Sequence, residues 1–447
     1  MSELTSSAPT VRRSQVVSWA VWDFGSTGLN AVVVTFVFSI YLTDAVGDGL
    51  PGTTSATSWL GWALGAAGLA VALLAPLTGV WVETPWRRRR ALATLSVLSV
   101  VFTAVMWVVR EDWRYLALGL VLVACVSACN DLAGVPYNAM LRQLSTPHTS
   151  GQISGFGFGL GYFGSVVLLL VVYFGFVAGD GDNTGLLNLS SADGQNVRAA
   201  MVFAAVWFAL FALPVLILVP SPKPDIVVPA VAGGFFGGYR KLWTEIKGEW
   251  RRDHNIVYYL IASAVFRDGL TGVFAFGAVL GVKVYGVSSA DVLLFGVCAS
   301  IVAAIGAIIG GFLDDRIGAK PVIVGSLAAM IVVGLILMTL TGVLAFWICG
   351  LLLCFFIGPT LSAARTLMLR MSAEGKEGVA FGLYTTTGRA VSYLAPVLFS
   401  TFIAIFGSDR AGIGGIIVVL LAGMLAMMMV KTPGRMAATS PVTSPAN

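Results

Sequence analysis

Charge is scarce in this sequence. Only 11% of the 447 residues are Asp, Glu, Lys or Arg, against about a quarter in a typical soluble domain. A soluble protein needs charged and polar side chains to cover its surface, and a disordered chain needs even more of them. Because 57% of the residues are hydrophobic and the mean hydropathy is +0.89, we predict an integral membrane protein.

Residue types that serve catalysis and metal binding are also scarce. The two histidines, His148 and His254, lie in polar stretches, and no nucleophile–base set accompanies them. The five cysteines lie inside apolar runs, where thiols usually pack as small hydrophobic residues. They predict neither a metal site nor a disulfide framework. A Walker lysine loop is absent from the sequence, so ATP-driven transport has no support. We therefore expect no enzymatic activity and no cofactor.

Twelve apolar runs have the length of membrane spans. A helix needs about 20 mostly apolar residues to cross the hydrocarbon core, and we therefore expect an all-α membrane protein with twelve transmembrane helices. The first six runs cover residues 16–42, 58–82, 91–109, 115–137, 153–178 and 197–219. The second six cover 257–282, 291–313, 322–340, 343–365, 379–406 and 412–430.

Basic residues are distributed unevenly between the two sides of these spans. Nineteen of the 27 lysines and arginines lie in the two tails, the central loop and the other segments on the same side. Cytoplasmic segments carry such an excess. We therefore expect a multi-pass protein of the cell membrane with both termini in the cytoplasm. The net charge of +5 thus marks membrane orientation and does not indicate a nucleic-acid partner.

The predicted organisation has five parts. A cytoplasmic tail (1–15) precedes a six-helix bundle (16–219), a cytoplasmic linker (220–255), a second six-helix bundle (256–430) and a C-terminal tail (431–447). In the linker, apolar residues recur at helical spacing between lysines and arginines, which predicts an amphipathic helix on the membrane surface. These residues are Leu242, Trp243, Ile246 and Trp250.

The two halves resemble each other in sequence. The segment around Asp23 in span 1 matches the segment around Asp268 in span 7, and Glu83 after span 2 corresponds to Asp315 after span 8. Internal repeats of this kind are common in transporters. We therefore expect the two bundles to be related by pseudo-symmetry.

The segment 311–320, Gly-Phe-Leu-Asp-Asp-Arg-Ile-Gly-Ala-Lys, resembles the loop motif of the major facilitator superfamily: Gly, three residues, Asp-Arg, one residue, Gly and a basic residue. The first-half copy departs from the motif at Glu83, Thr84 and Trp86. Within the superfamily, residues 18–26 (Ser-Trp-Ala-Val-Trp-Asp-Phe-Gly-Ser) and matching stretches in 358–389 are similar to the vacuole-effluxer-like branch, which is related to fungal vacuolar amino-acid exporters.

This resemblance runs from about residue 18 to residue 430. It implies the major facilitator fold of two pseudo-symmetric six-helix bundles, and secondary active transport of a small polar solute by alternating access. It also suggests export of an amino acid or a related metabolite. We expect the chain to be a monomer whose partners are the solute, a coupling proton or sodium ion, and the lipid bilayer.

Ionisable residues inside the spans are candidates for the mechanism. A charge at mid-bilayer costs at least about 2.5 kcal/mol, so each one needs a partner, a wet cavity or a function. The carboxylates are candidate proton or cation sites, and the arginines can neutralise them or receive a substrate carboxylate. The candidate substrate or coupling residues are Asp23, Asp131, Asp268, Arg267, Arg389, Asn30, Asn130 and Tyr384. Internal ion pairs that only hold helices together are the alternative.

A second set of residues is predicted to form a gate. An acid in a loop can lie at the N-terminus of a neighbouring helix, where the helix dipole favours negative charge. Breaking such a contact biases the balance between inward and outward states. By resemblance, the gating residues are Gly311, Asp315, Arg316, Gly318, Lys320, Glu83, Arg87 and Arg365.

Other interpretations remain open at this point. One is a cation-coupled sugar or glycoside symporter, and another, of a different class, is a membrane sensor or lipid-handling scaffold. The segment 159–164 in span 5 satisfies the pattern Gly-x-Gly-x-x-Gly of dinucleotide sites, but it lies inside an apolar run. Small residues four positions apart allow membrane helices to approach closely, and we expect these glycines to serve packing.

Overall fold

The computed structural model of the chain describes residues 12–179, 183–220, 244 and 254–431. Within these residues, twelve helices are long and apolar enough to cross a membrane. Spans 1 to 6 are Arg13–Val46, Ala56–Trp81, Pro85–Val108, Trp113–Ala139, Ser150–Val177 and Ala192–Leu218. Spans 7 to 12 are Asn255–Tyr285, Ser289–Ile317, Ala319–Thr339, Val343–Met371, Glu377–Phe406 and Ala411–Met429. Helices satisfy their own backbone hydrogen bonds, as the hydrocarbon core requires.

Short irregular elements modify several spans. Span 1 is α-helical over Arg13–Asn30 and then alternates π-helical turns with a single α-helical turn. These later elements are Ala31–Phe36, Phe38–Tyr41 and Leu42–Val46. Spans 3 and 4 include the 3-10 turns Met106–Val108 and Trp113–Tyr115, and span 5 ends in the π-helix Tyr173–Val177. Outside the membrane helices lie the helix Leu141–Leu144 and the antiparallel strands Asn183–Thr184 and Leu189–Ser190, and span 6 begins with the 3-10 turn Ala192–Gly194.

Successive spans run in opposite directions, so that their ends alternate between two faces of the molecule. We call the face where span 1 begins and span 12 ends the terminal end, and the opposite face the distal end. The connections 82–84, 140–149 and 372–376 lie at the terminal end, as does Gly318 between spans 8 and 9. Gly318 has a φ of +98°, a conformation that glycine adopts without steric cost.

The twelve spans pack as two bundles of six. In the first bundle span 1 packs on spans 5 and 6, and span 4 packs on spans 2 and 3. In the second bundle span 10 packs on spans 8 and 9, and span 12 packs on spans 7 and 9. Contacts between the bundles run mainly from span 5 to span 8 and from span 2 to the first part of span 11. This arrangement confirms the predicted fold class.

Glycines in span 5 bring three helices close together. A Cβ atom on Gly159 would lie 2.8 Å from the side chain of Ile308 in span 8, and one on Gly157 would lie 2.7 Å from the Trp19 ring in span 1. Either is too short for a real contact. The glycine pattern of span 5 therefore serves helix packing, which confirms that interpretation.

Span 11 is divided into two helices. The first, Glu377–Val391, packs on span 2 of the other bundle and on span 7 of its own, whereas the second, Leu394–Phe406, packs on spans 12 and 7 of its own bundle. The division thus falls where the span leaves its main contact with the other bundle. The amphipathic helix predicted in the linker, with Leu242, Trp243, Ile246 and Trp250, lies outside the described residues.

Candidate functional site

Asp23 of span 1 faces Arg365 of span 10 across the two bundles. Nη2 of the arginine lies 3.7 Å from Oδ2 of the aspartate, and their side chains are 4% and 14% exposed. Thr27, one turn further along span 1, donates a hydrogen bond to the other carboxylate oxygen at 3.2 Å. Two oppositely charged side chains in the membrane interior thereby compensate each other.

Aromatic rings enclose the Arg365 guanidinium. Its Cζ atom lies 3.7 Å from the centre of the Phe158 ring, and the rings of Trp19 and Tyr137 follow at 5.3 and 5.5 Å. Nη1 is buried and has no hydrogen-bond partner in the described part of the chain. Although Arg365 was predicted as a gating residue, the structure therefore places it beside the candidate coupling residue Asp23.

A second ion pair joins the bundles through Asp131 of span 4 and Arg389 of span 11. Nη2 of Arg389 donates to Oδ2 of Asp131. The side chain of Asp131 is 26% exposed and that of Arg389 is 37% exposed, although both residues lie within spans. This exposure indicates a space between the bundles, on the distal side of the closely packed terminal end.

Arg267 of span 7 lies against span 11. Its guanidinium lies over the ring of Tyr384 at 3.9 Å from the ring centre, and Nη1 donates to the carbonyl of the same residue at 3.0 Å. A Cβ on Gly388 would lie 3.0 Å from Nη1. The absence of a side chain at Gly388 therefore makes room for the guanidinium.

Asp268 is buried in a different environment from the other two aspartates. It is 4% exposed and accepts a hydrogen bond at 2.5 Å from the backbone N–H of Ala395, in the first turn of the second helix of span 11. Such a contact satisfies a donor that the helix leaves free. The structure thus brings Asp23 and Asp131 to arginines of the opposite bundle, and Asp268 to a helix end of its own bundle.

The two asparagines differ in their surroundings. The amide oxygen of Asn130 accepts a hydrogen bond from Ser99 at 3.3 Å, while its buried Nδ2 has no partner among the described residues. Asn30 is exposed at the end of the α-helical part of span 1. Only Asn130, next to Asp131, lies beside one of the two central ion pairs.

At the terminal end, Asp315 of span 8 caps span 5. Its two carboxylate oxygens accept hydrogen bonds from the backbone N–H groups of Gly151 and Gln152, at 2.8 and 2.9 Å. Arg370 of span 10 lies 2.5 Å from Asp314 and 3.1 Å from Asp315. An acid, a helix N-terminus and an arginine thus combine in one contact between the bundles.

The corresponding contact of spans 2 and 11 uses a different acid. Glu377 at the start of span 11 forms ion pairs with Arg88 at 2.8 Å and with Arg142 at 2.5 Å, and the Arg88 and Glu377 side chains are each only 2% exposed. Arg142 also donates to the carbonyls of Leu369 and Ser372 at the end of span 10. Two arginines of the first bundle therefore share one carboxylate of the second.

Close backbone contacts accompany these charges. A Cβ on Gly79 of span 2 would lie 2.5 Å from the carbonyl oxygen of Gly378, and one on Gly151 would lie 2.6 Å from the carbonyl oxygen of Gly311. Because no side chain separates these helices, they touch at both pseudo-symmetric positions. The terminal end is thus closed by packing as well as by ion pairs.

Other residues of the predicted gate differ in whether they link the two bundles. Lys320 donates to the carbonyls of Met428 and Val430 at the end of span 12, within its own bundle. Arg87 lies over the Trp86 ring at 5.2 Å from the ring centre. Glu83 forms an ion pair with Lys376 at 2.9 Å across the bundles. Within the described residues, no group of three or more His, Cys, Asp or Glu side chains is arranged to hold a metal ion.

Comparison with protein families identifies the chain. The model of the family described as "Vacuole effluxer Atg22 like" matches residues 46–438. The chain belongs to this family. The resemblance found in the sequence is thereby confirmed, and the family and the fold are those of a transporter of the major facilitator superfamily, not of an enzyme.

Relatives of this Atg22-like chain include bacterial and fungal proteins. The uncharacterized MFS-type transporter YxiO of Bacillus subtilis (strain 168) is 22% identical over 420 residues, which cover 92% of this chain and 94% of that protein. Autophagy-related protein 22 of Yarrowia lipolytica is 25% identical over 284 residues, or 56% of this chain and 45% of that protein.

Solved structures share its fold. The crystal structure of the transporter FucP in the outward conformation has a TM-score of 0.70 at 14% identity, and the match covers 94% of this chain and all of FucP. The human organic anion transporter MFSD10 (TETRAN) has a TM-score of 0.71 at 14% identity, with 94% of this chain and all of that chain covered. At this identity the likeness shows the fold alone.

Sequence reasoning missed several residues of the contact between the bundles. Glu377 was not singled out, and Arg87 was named where the structure uses Arg88. One signal was available in the sequence: four polar residues of span 3 recur at helical spacing and so mark one face of the helix, which the structure buries. They are Arg88, Ser96, Ser99 and Thr103.

Proposed function

We propose that this Atg22-like transporter moves a small polar solute by alternating access, as a secondary active carrier of the cell membrane with its terminal end in the cytoplasm. The proposal rests on two ion pairs between the bundles, Asp23–Arg365 and Asp131–Arg389. In each, the acid belongs to the first bundle and the base to the second. A rocking motion that separates the bundles at the terminal end must therefore separate these charges.

Coupling follows from that separation. A carboxylate that loses its arginine in the membrane interior needs another compensating charge. A proton or a sodium ion supplies it. We therefore assign Asp23 and Asp131 to coupling, while the contacts of Asp315, Arg370 and Glu377 hold the terminal end closed until the solute and the ion are bound.

The solute class and direction rest on the family. We propose an amino acid or a related metabolite, moved out of the cytoplasm, because the family is described as an effluxer. Asn130 fits this assignment, since its buried Nδ2 is a donor without a partner among the described residues and lies next to Asp131.

Flux measurements with purified protein in proteoliposomes test this function. Radiolabelled amino acids and sugars are offered with and without a proton or sodium gradient. We expect gradient-dependent movement of an amino acid or a related metabolite, and none in protein-free vesicles. Gradient-dependent movement of sugars alone would contradict the solute assignment. Gradient-independent leakage of every solute would contradict secondary active transport.

A further inference from the structure

Arg267 differs from the other two arginines in the centre of the molecule. Arg365 and Arg389 each have a carboxylate of the opposite bundle within 4.0 Å, whereas Arg267 has none among the described residues. It interacts with Asp131 at longer range, but Asp131 is already paired with Arg389. The neighbouring Asp268 is bound to the N–H of Ala395, at a helix N-terminus that itself stabilises negative charge.

The guanidinium of Arg267 is held in one orientation. Tyr384 supports one face, the backbone at Gly388 adjoins it, and Nη1 is fixed to the carbonyl of Tyr384. Nε and Nη2 have no hydrogen-bond partner within the part of the chain that the structure describes. A guanidinium prepared in this way can donate two parallel hydrogen bonds to a carboxylate without losing side-chain freedom on binding.

The position of Arg267 suits a transported solute. It lies twelve residues into span 7, or about 18 Å from the terminal end of that helix at 1.5 Å per residue. It is only partly buried, as is Arg389 of the neighbouring ion pair. The closed contacts of Arg88, Glu377 and Arg370 lie nearer to the terminal end. Arg267 contacts Tyr384, which belongs to the helix of span 11 that packs on span 2 of the first bundle, so Arg267 lies beside the contact between the bundles.

We propose that Arg267 binds the carboxylate of a small organic anion or zwitterion and thereby sets the specificity of transport. This inference rests on the proposed transport function and deepens it. Enclosing an uncompensated guanidinium in the membrane interior is unfavourable, whereas a bound carboxylate neutralises it. The bound carboxylate therefore favours closure of the cavity around the solute, and an amide of the same shape does not.

Thermal unfolding of the purified full-length protein with matched probes tests the proposal. The probes are L-leucine with L-leucinamide, and L-lactate with lactamide. A ligand that binds only the folded state raises the melting temperature Tm. We expect at least one carboxylate to raise the Tm and its amide to have no effect, and Arg267→Gln to weaken binding of that carboxylate at least tenfold, which is about 1.4 kcal/mol.

Two further variants separate binding from folding. Arg267→Lys keeps the charge but loses the planar fork, so that carboxylate binding should be weakened and the preference for the carboxylate over the amide retained. Gly388→Ala keeps Arg267 but places a Cβ about 3.0 Å from Nη1, and should weaken carboxylate binding without removing any charge. Arg13→Gln, at the exposed start of span 1, is the matched control and should bind like the wild type.

Several outcomes would overturn the assignment of Arg267. They are equal protection of the wild type by carboxylates and amides, no protection by any carboxylate of the panel, and a preference for carboxylates that persists in folded Arg267→Gln. Flux in proteoliposomes distinguishes this failure from failure of the proposed function. A solute that is carried equally well as its amide refutes the role of Arg267 alone, whereas absence of gradient-dependent transport refutes the transport proposal.

Discussion

Arg88 of the first bundle donates a hydrogen bond of 2.8 Å to the carboxylate of Glu377 in the second, and each of the two side chains is only 2% exposed. Arg142 lies 2.5 Å from the other carboxylate oxygen. Removing one partner of a buried ion pair leaves an uncompensated charge and costs about 3–5 kcal/mol. The closed terminal end therefore depends strongly on Glu377.

We expect Glu377→Gln to shift the protein towards states in which the terminal end is open. The variant leaves Arg88 and Arg142 facing a neutral amide, which destabilises the closed state by about 3 kcal/mol. Pulsed electron paramagnetic resonance between spin labels at His148→Cys and Glu374→Cys should show a larger population at long distance. Asp48→Asn is the control, because Asp48 is exposed in a loop at the distal end, far from the contact between the bundles. Equal distance distributions for the two variants would refute the role of Glu377.

Close backbone contact predicts a steric effect at Gly378. In Gly378→Ala the new Cβ would lie 2.9 Å from the backbone nitrogen of Glu83, and overpacking of this kind typically costs about 1–3 kcal/mol. We expect slower transport because the terminal end no longer closes fully. Gly61→Ala on span 2 is the control, since no atom lies within 4 Å of its Cβ position, and it should gain up to about 1 kcal/mol of helix stability. Equal transport rates in both variants would contradict the prediction.

Asp23→Asn tests the coupling role. The amide keeps the size of the side chain but offers neither the charge for Arg365 nor a site for an exchangeable proton. We expect gradient-driven flux in proteoliposomes to fall at least tenfold, while Asp23→Glu retains part of it. Asp48→Asn, in an exposed distal loop, should transport like the wild type. Unchanged flux and gradient dependence in folded Asp23→Asn would exclude the coupling role.

Two variants of Asp268 distinguish a structural role of this residue from a coupling role. Its hydrogen bond to Ala395 predicts that Asp268→Asn, which keeps an acceptor oxygen, retains gradient-dependent flux. Asp268→Ala leaves a buried donor unsatisfied and should lower stability by about 1–3 kcal/mol, seen as a lower Tm. Loss of gradient dependence in Asp268→Asn at unchanged Tm would instead place Asp268 among the coupling residues.

Labelling of single cysteines tests the orientation of the chain. In a variant without the five native cysteines, a membrane-impermeant maleimide applied to intact cells should label Asp48→Cys in the distal loop and leave His148→Cys at the terminal end unlabelled. Both positions are exposed, so access depends on the side of the membrane alone. Labelling of His148→Cys from outside would reverse the proposed orientation.

The sequence predicts the architecture because membrane spans carry a strong local signal. Twelve apolar runs of about 20 residues predict twelve helices, and the structure contains them with ends shifted by a few residues. The motif around Asp315 predicts which loop meets the other bundle. Both features depend on residues that are close together along the chain.

The pairing of charges across the bundles could not be read from the sequence. Asp131 and Arg389 are distant along the chain, as are Asp23 and Arg365. Nothing in the residues around either aspartate indicates which of the two arginines it pairs with. The role of Glu377 was hidden for the same reason, because its arginines come from span 3 and from the connection after span 4. The break in span 11 was missed as well, since residues 379–406 read as one apolar run.

That break gives span 11 two mechanical units. The helix Glu377–Val391 packs on span 2 of the first bundle and on span 7 of its own, whereas Leu394–Phe406 packs on spans 12 and 7 of the second bundle. Residues 392–393 separate the two helices, and Asp268 accepts a hydrogen bond from Ala395 in the first turn of the second one. In the proposed rocking motion, span 11 can therefore bend between its two helices, and the second helix keeps its packing within its own bundle.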